Sequence, residues 1–267
     1  MDGLGETLLA FKGVAAGAWL AALFAAERLR PAVPFPHGQP WAWARPARNL
    51  AFLLISALVS LAIVVPVSRA AAGLQIGLRP AWAIGAAGLV FDLLLLDFLI
   101  YWWHRANHRL PFLWRFHEVH HLDRFLDVTS AVRFHFGEVI LSALARAGVI
   151  AVLAIPLSSV LTFEALILVA TGFHHSDLKL PPRLERALSW IVVTPSIHWV
   201  HHHRIRRDTD SNYSTILSLW DRLFASRSAT RRTPDMEIGV EGREEQDLPK
   251  LLLRPFSPGK TPASTAL

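Results

Sequence analysis

The sequence predicts an all-α integral membrane protein, a bundle of transmembrane helices carrying a helical metal-binding cap on its cytoplasmic side. Three observations predict it. Long apolar runs punctuate a chain that is 52% hydrophobic and only 18% charged, greasier than soluble domains are. Arginines collect in alternate loops. Twelve of the thirteen histidines fall between His104 and His203, many of them one helical turn apart.

Taken in order, the first run, Leu8 to Ala26, is apolar except for Lys12 and is followed by Glu27, Arg28 and Arg30. A signal peptide carries its basic residues before the apolar stretch, so this run reads as a retained span. Leu50 to Val67 has no charge, and Ala81 to Trp103 is interrupted only by Asp92 and Asp97. Both reach the roughly 20 residues that cross a hydrocarbon core. Val139 to Phe173 is too long for one crossing, and Pro156, Ser158 and Ser159 near its middle divide it into a helical hairpin that enters and leaves on one side. Three regions follow: spans over 1–80, a catalytic region over 81–232, and from Thr233 to Leu267 a tail of Pro, Gly, Glu and Ser that reads as mobile.

Loop charge orients the chain, because Lys and Arg concentrate on the cytoplasmic side. Arg28, Arg30, Arg45 and Arg48 lie between the first two runs, against Arg69 and Arg79 between the second and third. The amino terminus is therefore expected outside, and all that follows Trp103 inside apart from the hairpin. The carboxy-terminal arginines, from Arg183 to Arg232, agree. The net charge of +6 is accounted for by this topology, and no recognition motif points to nucleic acid. With no cysteine, the chain holds neither a disulfide nor an iron–sulfur cluster.

On a helix, His104 and His108 share one face, as do His117 and His121, with Cβ atoms roughly 5–6 Å apart. His120 adds a ring that reaches a neighbouring ion, and His198, His201 and His202 repeat the pattern. His135 and His175 are candidates to complete the shell. His37 reads as a surface residue, His203 as pointing away, and His135 and His174 stay open between ligand and bystander. Eight or more imidazoles argue for two ions, although imidazole alone does not select the metal. Asp97 precedes His104 by two helical turns, so it either orients that ring from behind or makes a polar contact between helices, since an ionisable residue in an apolar span is usually functional or paired. A rival motif is present: His117-Glu118-Val119-His120-His121 satisfies H-E-x-x-H, the zinc-protease helix. That reading needs three ligands on one zinc and leaves at least five histidines without a role.

These segments together resemble the fatty acid hydroxylase and sterol desaturase superfamily of membrane di-iron enzymes. The resemblance rests on Asp97 to His108, on His117-x-x-His120-His121, and on Thr194-Pro195-Ser-Ile-His198-Trp-Val-His201-His202. Asp210-Ser211-Asn212-Tyr213 and Leu219-Trp220-Asp221-Arg222-Leu223-Phe224 follow, and the likeness spans about residues 85–226. His175, ahead of Ser176 and Asp177, looks like the family's isolated histidine, with Asp177 where Asn is more usual. Arg133-x-His135-x-x-Glu138 is similar to a further element, with Phe136 where Pro is usual. The resemblance implies ten metal ligands (His104, His108, His117, His120, His121, His135, His175, His198, His201 and His202), with Asp97, Glu138 and Asp177 behind them. It implies two iron ions and O2, which together hydroxylate or desaturate a C–H bond of a fatty acyl, sterol or related isoprenoid lipid. The electrons would come from a separate ferredoxin, cytochrome or flavoprotein reductase, at a site facing the cytoplasm of a bacterial inner membrane.

Overall fold

The computed structural model describes residues 3–39, 41–74 and 76–257, and among them the chain is helical, with only isolated β-bridges. α1 spans Gly3–Leu29. α2 (Trp41–Val59), a π-helical turn (Ser60–Val64) and α3 (Val65–Leu74) form one continuous run of 34 residues. Pro66 has no N–H to offer the ladder, and the register slips just before it: the Val65 N–H bonds the Ser60 carbonyl, five residues back.

α4 (Gly85–Arg109) runs six residues past Trp103, so a single helix carries the apolar span and both His104 and His108. Leu110 is extended, and Pro111 opens α5 (Pro111–His121) at its first turn, which folds α5 back beside the end of α4. The long fourth run divides as expected into α6 (Phe136–Val152) and α7 (Leu157–His175), with the break at Pro156. Short helices follow: α8 (Pro182–Leu188), α9 (Pro195–His201), α10 (Arg206–Thr209), α11 (Leu219–Leu223) and α12 (Leu248–Leu253).

Among the described residues, three stretches, Trp41–Leu74, Gly85–Arg109 and Leu157–His175, are long and apolar enough to cross a membrane. Their outward faces show large apolar side chains, among them Leu54, Leu58, Leu61 and Val90, as lipid contact requires. α1 packs against α7 where Gly172 leaves room: a Cβ there would lie 3.0 Å from Leu20. Asp92, inside the α4 span, is paired: Arg79 grips both its oxygens at 2.8 and 3.0 Å, and the Ser159 hydroxyl donates at 2.7 Å.

The expectation of a mobile tail from Thr233 needs correction as far as Ser257; residues 258–267 lie outside the described ones. Leu251 is fully buried with Phe52, Trp114 and Val119. The charged residues that made this stretch look solvated are the partners of charges in the bundle. Glu245 pairs with Arg48 and, at 2.7 Å, with buried Arg133. The Arg254 Nε donates to Glu118 at 2.7 Å. The segment is a strap across the cap.

Candidate metal centre

Two adjacent clusters of imidazoles form where α4, α5, α7 and α9 end. His104, His108, His117, His121 and His201 make one, and His120, His175, His198 and His202 the other; within each, the ligand nitrogens lie within 4.8 Å of one another. An ion bound at about 2 Å by each nitrogen sets opposing donors about 4 Å apart, so both clusters have the right size. The clusters touch: the His121 and His202 rings stack at 4.3 Å, and those of His198 and His201 at 5.1 Å.

The hydrogen bonds behind the rings decide which nitrogen faces inward. His104 Nδ1 bonds the Tyr213 carbonyl at 2.8 Å, His120 Nδ1 that of Arg133 at 3.2 Å, His175 Nδ1 that of Thr171 at 2.8 Å, and His201 Nδ1 that of Ser211 at 2.6 Å. A carbonyl only accepts, so each Nδ1 carries the proton and each Nε2 presents a lone pair. His117 Nδ1 bonds Glu138 at 2.9 Å in the same manner.

Consequently the contact of 3.1 Å between His175 Nε2 and His120 Nε2 sets lone pair against lone pair and calls for a cation between them. Protons are a poor choice. Burial, and after it the neighbouring imidazoles, hold His120, His121, His198 and His202 well below the usual histidine range; in His201 burial and then the His104 imidazole do the same. The donor set fits metal ions, and His201 Nε2 and His108 Nε2 are buried with no hydrogen-bond partner.

Nine of the ten ligands expected from the sequence fall in the two clusters. His135 does not. Its Nδ1 accepts from the Gly137 N–H at 3.0 Å, capping α6, and its Nε2 donates to the Leu252 carbonyl of the strap at 3.0 Å; both nitrogens are already used. His174 belongs to neither cluster and packs its ring on His198. His203 Nδ1 bonds Asp208 at 2.8 Å, away from the centre, and His37 is exposed.

Of the three carboxylates expected behind the ligands, only Glu138 touches one. Asp97 accepts from the Ile216 and Leu217 N–H groups and from Trp220 Nε1, the last at 2.8 Å; it clamps a loop and leaves His104 alone. Asp177 accepts from the Val33 N–H and pairs with Arg232. Asp210, 3.5 Å from His108 Nδ1, was not singled out as an acidic partner. The four carbonyl acceptors were missed as well, because a backbone oxygen leaves no residue-type signal. Asn212 carries part of that geometry. It adopts φ +52°, a left-handed conformation Asn tolerates, between the residues whose carbonyls bond His201 and His104.

The H-E-x-x-H helix is arranged unlike a protease site. His117 and His121 serve one cluster and His120 the other, while Glu118 turns to the strap, with Arg254 Nε at 2.7 Å and Arg243 Nε at 3.6 Å.

Comparison with known proteins agrees with this geometry. The ornithine lipid hydroxylase OlsE of Rhizobium tropici is 29% identical over 171 residues, 63% of this chain and 50% of that protein. The alkylglycerol monooxygenase of Xenopus tropicalis is 33% identical over 132 residues, 49% of this chain and 28% of that protein. The very-long-chain aldehyde decarbonylase GL1-6 of Oryza sativa subsp. indica is 27% identical over 192 residues, covering 64% and 28%. The chain thus spans half the length of the first of these relatives and under a third of the other two. No solved structure matches it significantly. The sequence model described as fatty acid hydroxylase matches residues 89–226, just over half of the 267 and including every histidine of both clusters. The chain belongs to the fatty acid hydroxylase family.

Proposed function

We propose that this protein is a membrane lipid oxygenase that hydroxylates or desaturates a C–H bond of a fatty acyl, sterol or related isoprenoid lipid. The observation that carries the reading is the pair of touching imidazole clusters, in which backbone carbonyls fix the tautomer so that Nε2 lone pairs converge. One zinc needs three such donors and an open position; nine in two clusters suit two ions. The family resemblance makes these iron. Bound iron would supply the reduction of O2 to an oxidant able to take hydrogen from an unactivated carbon.

The residues of the chain do the rest. His104, His108, His117, His121 and His201 hold one ion, and His120, His175, His198 and His202 the other. Glu138 strengthens His117 as a donor by accepting its Nδ1 proton. Phe134, stacked on the His120 ring at 4.6 Å, helps exclude water from the centre. Asp97 and Asp177 act at one remove, by fixing the loops that carry the carbonyl acceptors and the end of α7. The spans, the catalytic region from residue 81 and the strap form one unit. The relatives' names describe a hydroxylase, a monooxygenase and a decarbonylase, which supports lipid oxidation as the common theme and leaves hydroxylation and desaturation both open. Electrons would come from a separate ferredoxin, cytochrome or flavoprotein reductase, and the arginine bias supports a centre on the cytoplasmic face of a bacterial inner membrane.

Protein produced with iron and purified is expected to hold about two ions per chain. A strain lacking the gene is expected to lose one oxidised lipid species that returns with the parent gene but not with His104→Ala. A single zinc per chain, or an unchanged lipid profile, would refute the proposal.

A further inference from the structure

An apolar surface stays open on α8 and α11, in the part of the chain that the sequence assigns to the cap. Trp190, Ile191 and Leu223 are 65%, 63% and 62% exposed, and Leu184 and Leu219 are exposed beside them. These residues form one face. Leu219 and Leu223 share a side of α11 at i, i+4. Arg222 joins α11 to the turn after α8: Nη1 donates to the Ser189 carbonyl at 3.1 Å, Nη2 donates to that of Trp190, and the guanidinium lies over the Trp190 ring at 4.9 Å. The bridge between Val192 and Leu217 closes the same junction. An apolar patch rimmed by polar residues marks a protein or membrane contact.

The other side of α11 fixes its depth, because it packs on the α4 span. The Trp220 ring lies 5.2 Å from that of Phe98, and the Phe224 ring 5.0 Å from that of Trp102. With 25 residues, α4 is about 37 Å long against a hydrocarbon core of about 30 Å. Phe98 and Trp102 stand about 20 and 26 Å from its first residue. α11 is therefore seated beside the last stretch of the core on the side of the metal centre, within the roughly 5–10 Å depth of segments that lie in the interface plane. Trp102 is itself exposed, so the open face runs on into the lipid-facing side of α4.

Charge narrows the partner. Lys179, Arg183, Arg186 and Arg227 are exposed around the face. The acidic residues of 179–191 and 219–227 are Glu185 and Asp221. Glu185 accepts from the Thr194 hydroxyl, and Asp221 is buried, accepting from the Tyr213 and Ser214 N–H groups at 2.8 and 2.9 Å. The rim is thus basic. A second copy docked face to face would set arginine against arginine, whereas an anionic leaflet meets the same rim with the opposite sign.

We infer that α8, the turn at Trp190 and Ile191, and α11 form an in-plane membrane anchor, seated in the leaflet on the side of the metal centre and selective for anionic phospholipid. Trp190, Ile191 and Leu223 enter the acyl boundary, and Lys179, Arg183, Arg186 and Arg227 meet the phosphates. This part of the cap then rests in the membrane instead of standing clear of it, and holds the histidine end of α4 at a fixed height. The inference needs the membrane spans only, whatever the centre oxidises.

The chain has no cysteine, so one introduced thiol reports one place. The full chain with bimane on Ile191→Cys or on Leu223→Cys is placed, one chain per disc, in lipid nanodiscs. Phosphatidylglycerol or phosphatidylcholine in the disc carries a nitroxide quencher, either near the head or near the methyl end of an acyl chain. Both labels are expected to be quenched, and more by the nitroxide near the head. Bimane on Glu241→Cys, exposed on the strap, is the reference and should be quenched by neither lipid. Phosphatidylglycerol should be favoured over phosphatidylcholine by about fivefold or more, the factor that 1 kcal/mol gives and the contribution of one basic residue at an anionic surface. Arg183→Gln together with Arg186→Gln should cut that preference several-fold and leave quenching by phosphatidylcholine unchanged, which separates loss of the headgroup contact from loss of the fold. Quenching at Ile191 and Leu223 no stronger than at Glu241, or equal quenching by the two lipids, would overturn the inference. A disulfide forming readily between two Ile191→Cys chains in one disc would assign the face to a second copy and overturn it as well.

Discussion

Glu118→Gln separates an oxygenase from a hydrolase built on the same five residues. In an H-E-x-x-H protease the glutamate activates the attacking water, and losing a general base costs about 10²–10⁴ in rate. In this structure the carboxylate faces the strap, with Arg254 Nε at 2.7 Å and Arg243 Nε at 3.6 Å. A hydrogen bond to a charged group contributes about 1.5–3 kcal/mol. Glutamine keeps an acceptor for one arginine, and the Arg254 and Glu118 side chains retain 16% and 9% exposure, so the lower part of that range applies. The expected cost is about 1–2 kcal/mol of stability, or a few degrees of thermal midpoint for a chain of this size, with metal content intact and turnover of the parent's order. His120→Ala, by contrast, removes one of four donors from its cluster and should abolish both metal retention at that cluster and product formation. The assay pairs metal analysis and thermal unfolding with O2-dependent lipid oxidation read by mass spectrometry. Loss of turnover in Glu118→Gln with metal retained, alongside an active His120→Ala, would refute the reasoning.

Four further outcomes are expected. Glu138→Gln removes the charged acceptor of the His117 Nδ1 proton and should weaken metal binding about 10–100-fold, measured by competition with a chelator; unchanged affinity contradicts that role. Glu245→Ala removes the carboxylate that buried Arg133 bonds at 2.7 Å and leaves it Asp123 at 3.9 Å, so it should cost about 1.5–3 kcal/mol, with a thermal midpoint equal to the parent's counting against it. Chelated protein should lose stability in acid. His120, His121, His198, His201 and His202 are held below their ordinary 6.5 by burial, so the unfolded chain takes up protons first. Stability is then full above about pH 7 and falls as pH drops through about 6.5, and thermal scans that show no loss at about pH 5.5 would contradict it. A tag near Gly73 should be extracytoplasmic and one at Leu267 cytoplasmic, and reactivity to an impermeant reagent with the opposite pattern would reverse the charge argument.

Much of this centre was legible because a helix writes its faces into residue spacing. The i, i+4 pairs His104/His108 and His117/His121 converge as the period demands, and the proline at 156 divides the long apolar run where chemistry says it must. The histidines also announced which helix ends meet. What stayed hidden depends on tertiary contact. His135 is spaced like a ligand, yet both its nitrogens are spent on a helix cap and on a carbonyl 117 residues away. Asp97 shares a helix with His104, yet it reaches the 216–220 loop, which sequence distance does not bring to mind. The strap was obscured for a related reason: a stretch of Pro, Gly, Glu and Ser reads as mobile until Arg133 and Glu118 are found paired with its Glu245 and Arg254.

Arg133 shows why the strap and the centre belong to one mechanical unit. Its guanidinium is fully buried and donates from Nε to the Val119 carbonyl at 2.8 Å, and from Nη1 to Asn49 at 3.2 Å and to Glu245 at 2.7 Å. Those bonds tie α5, α2 and the strap to one residue. The carbonyl of that same residue accepts the His120 Nδ1 proton, so the position of the guanidinium fixes the tilt of a ring in the four-histidine cluster. His120 in turn lies next to His121, which serves the other cluster. A displacement of the strap therefore reaches both clusters through buried groups in direct contact. Geometry held to this degree is what a site needs if its rings are to keep their positions around a bound ion.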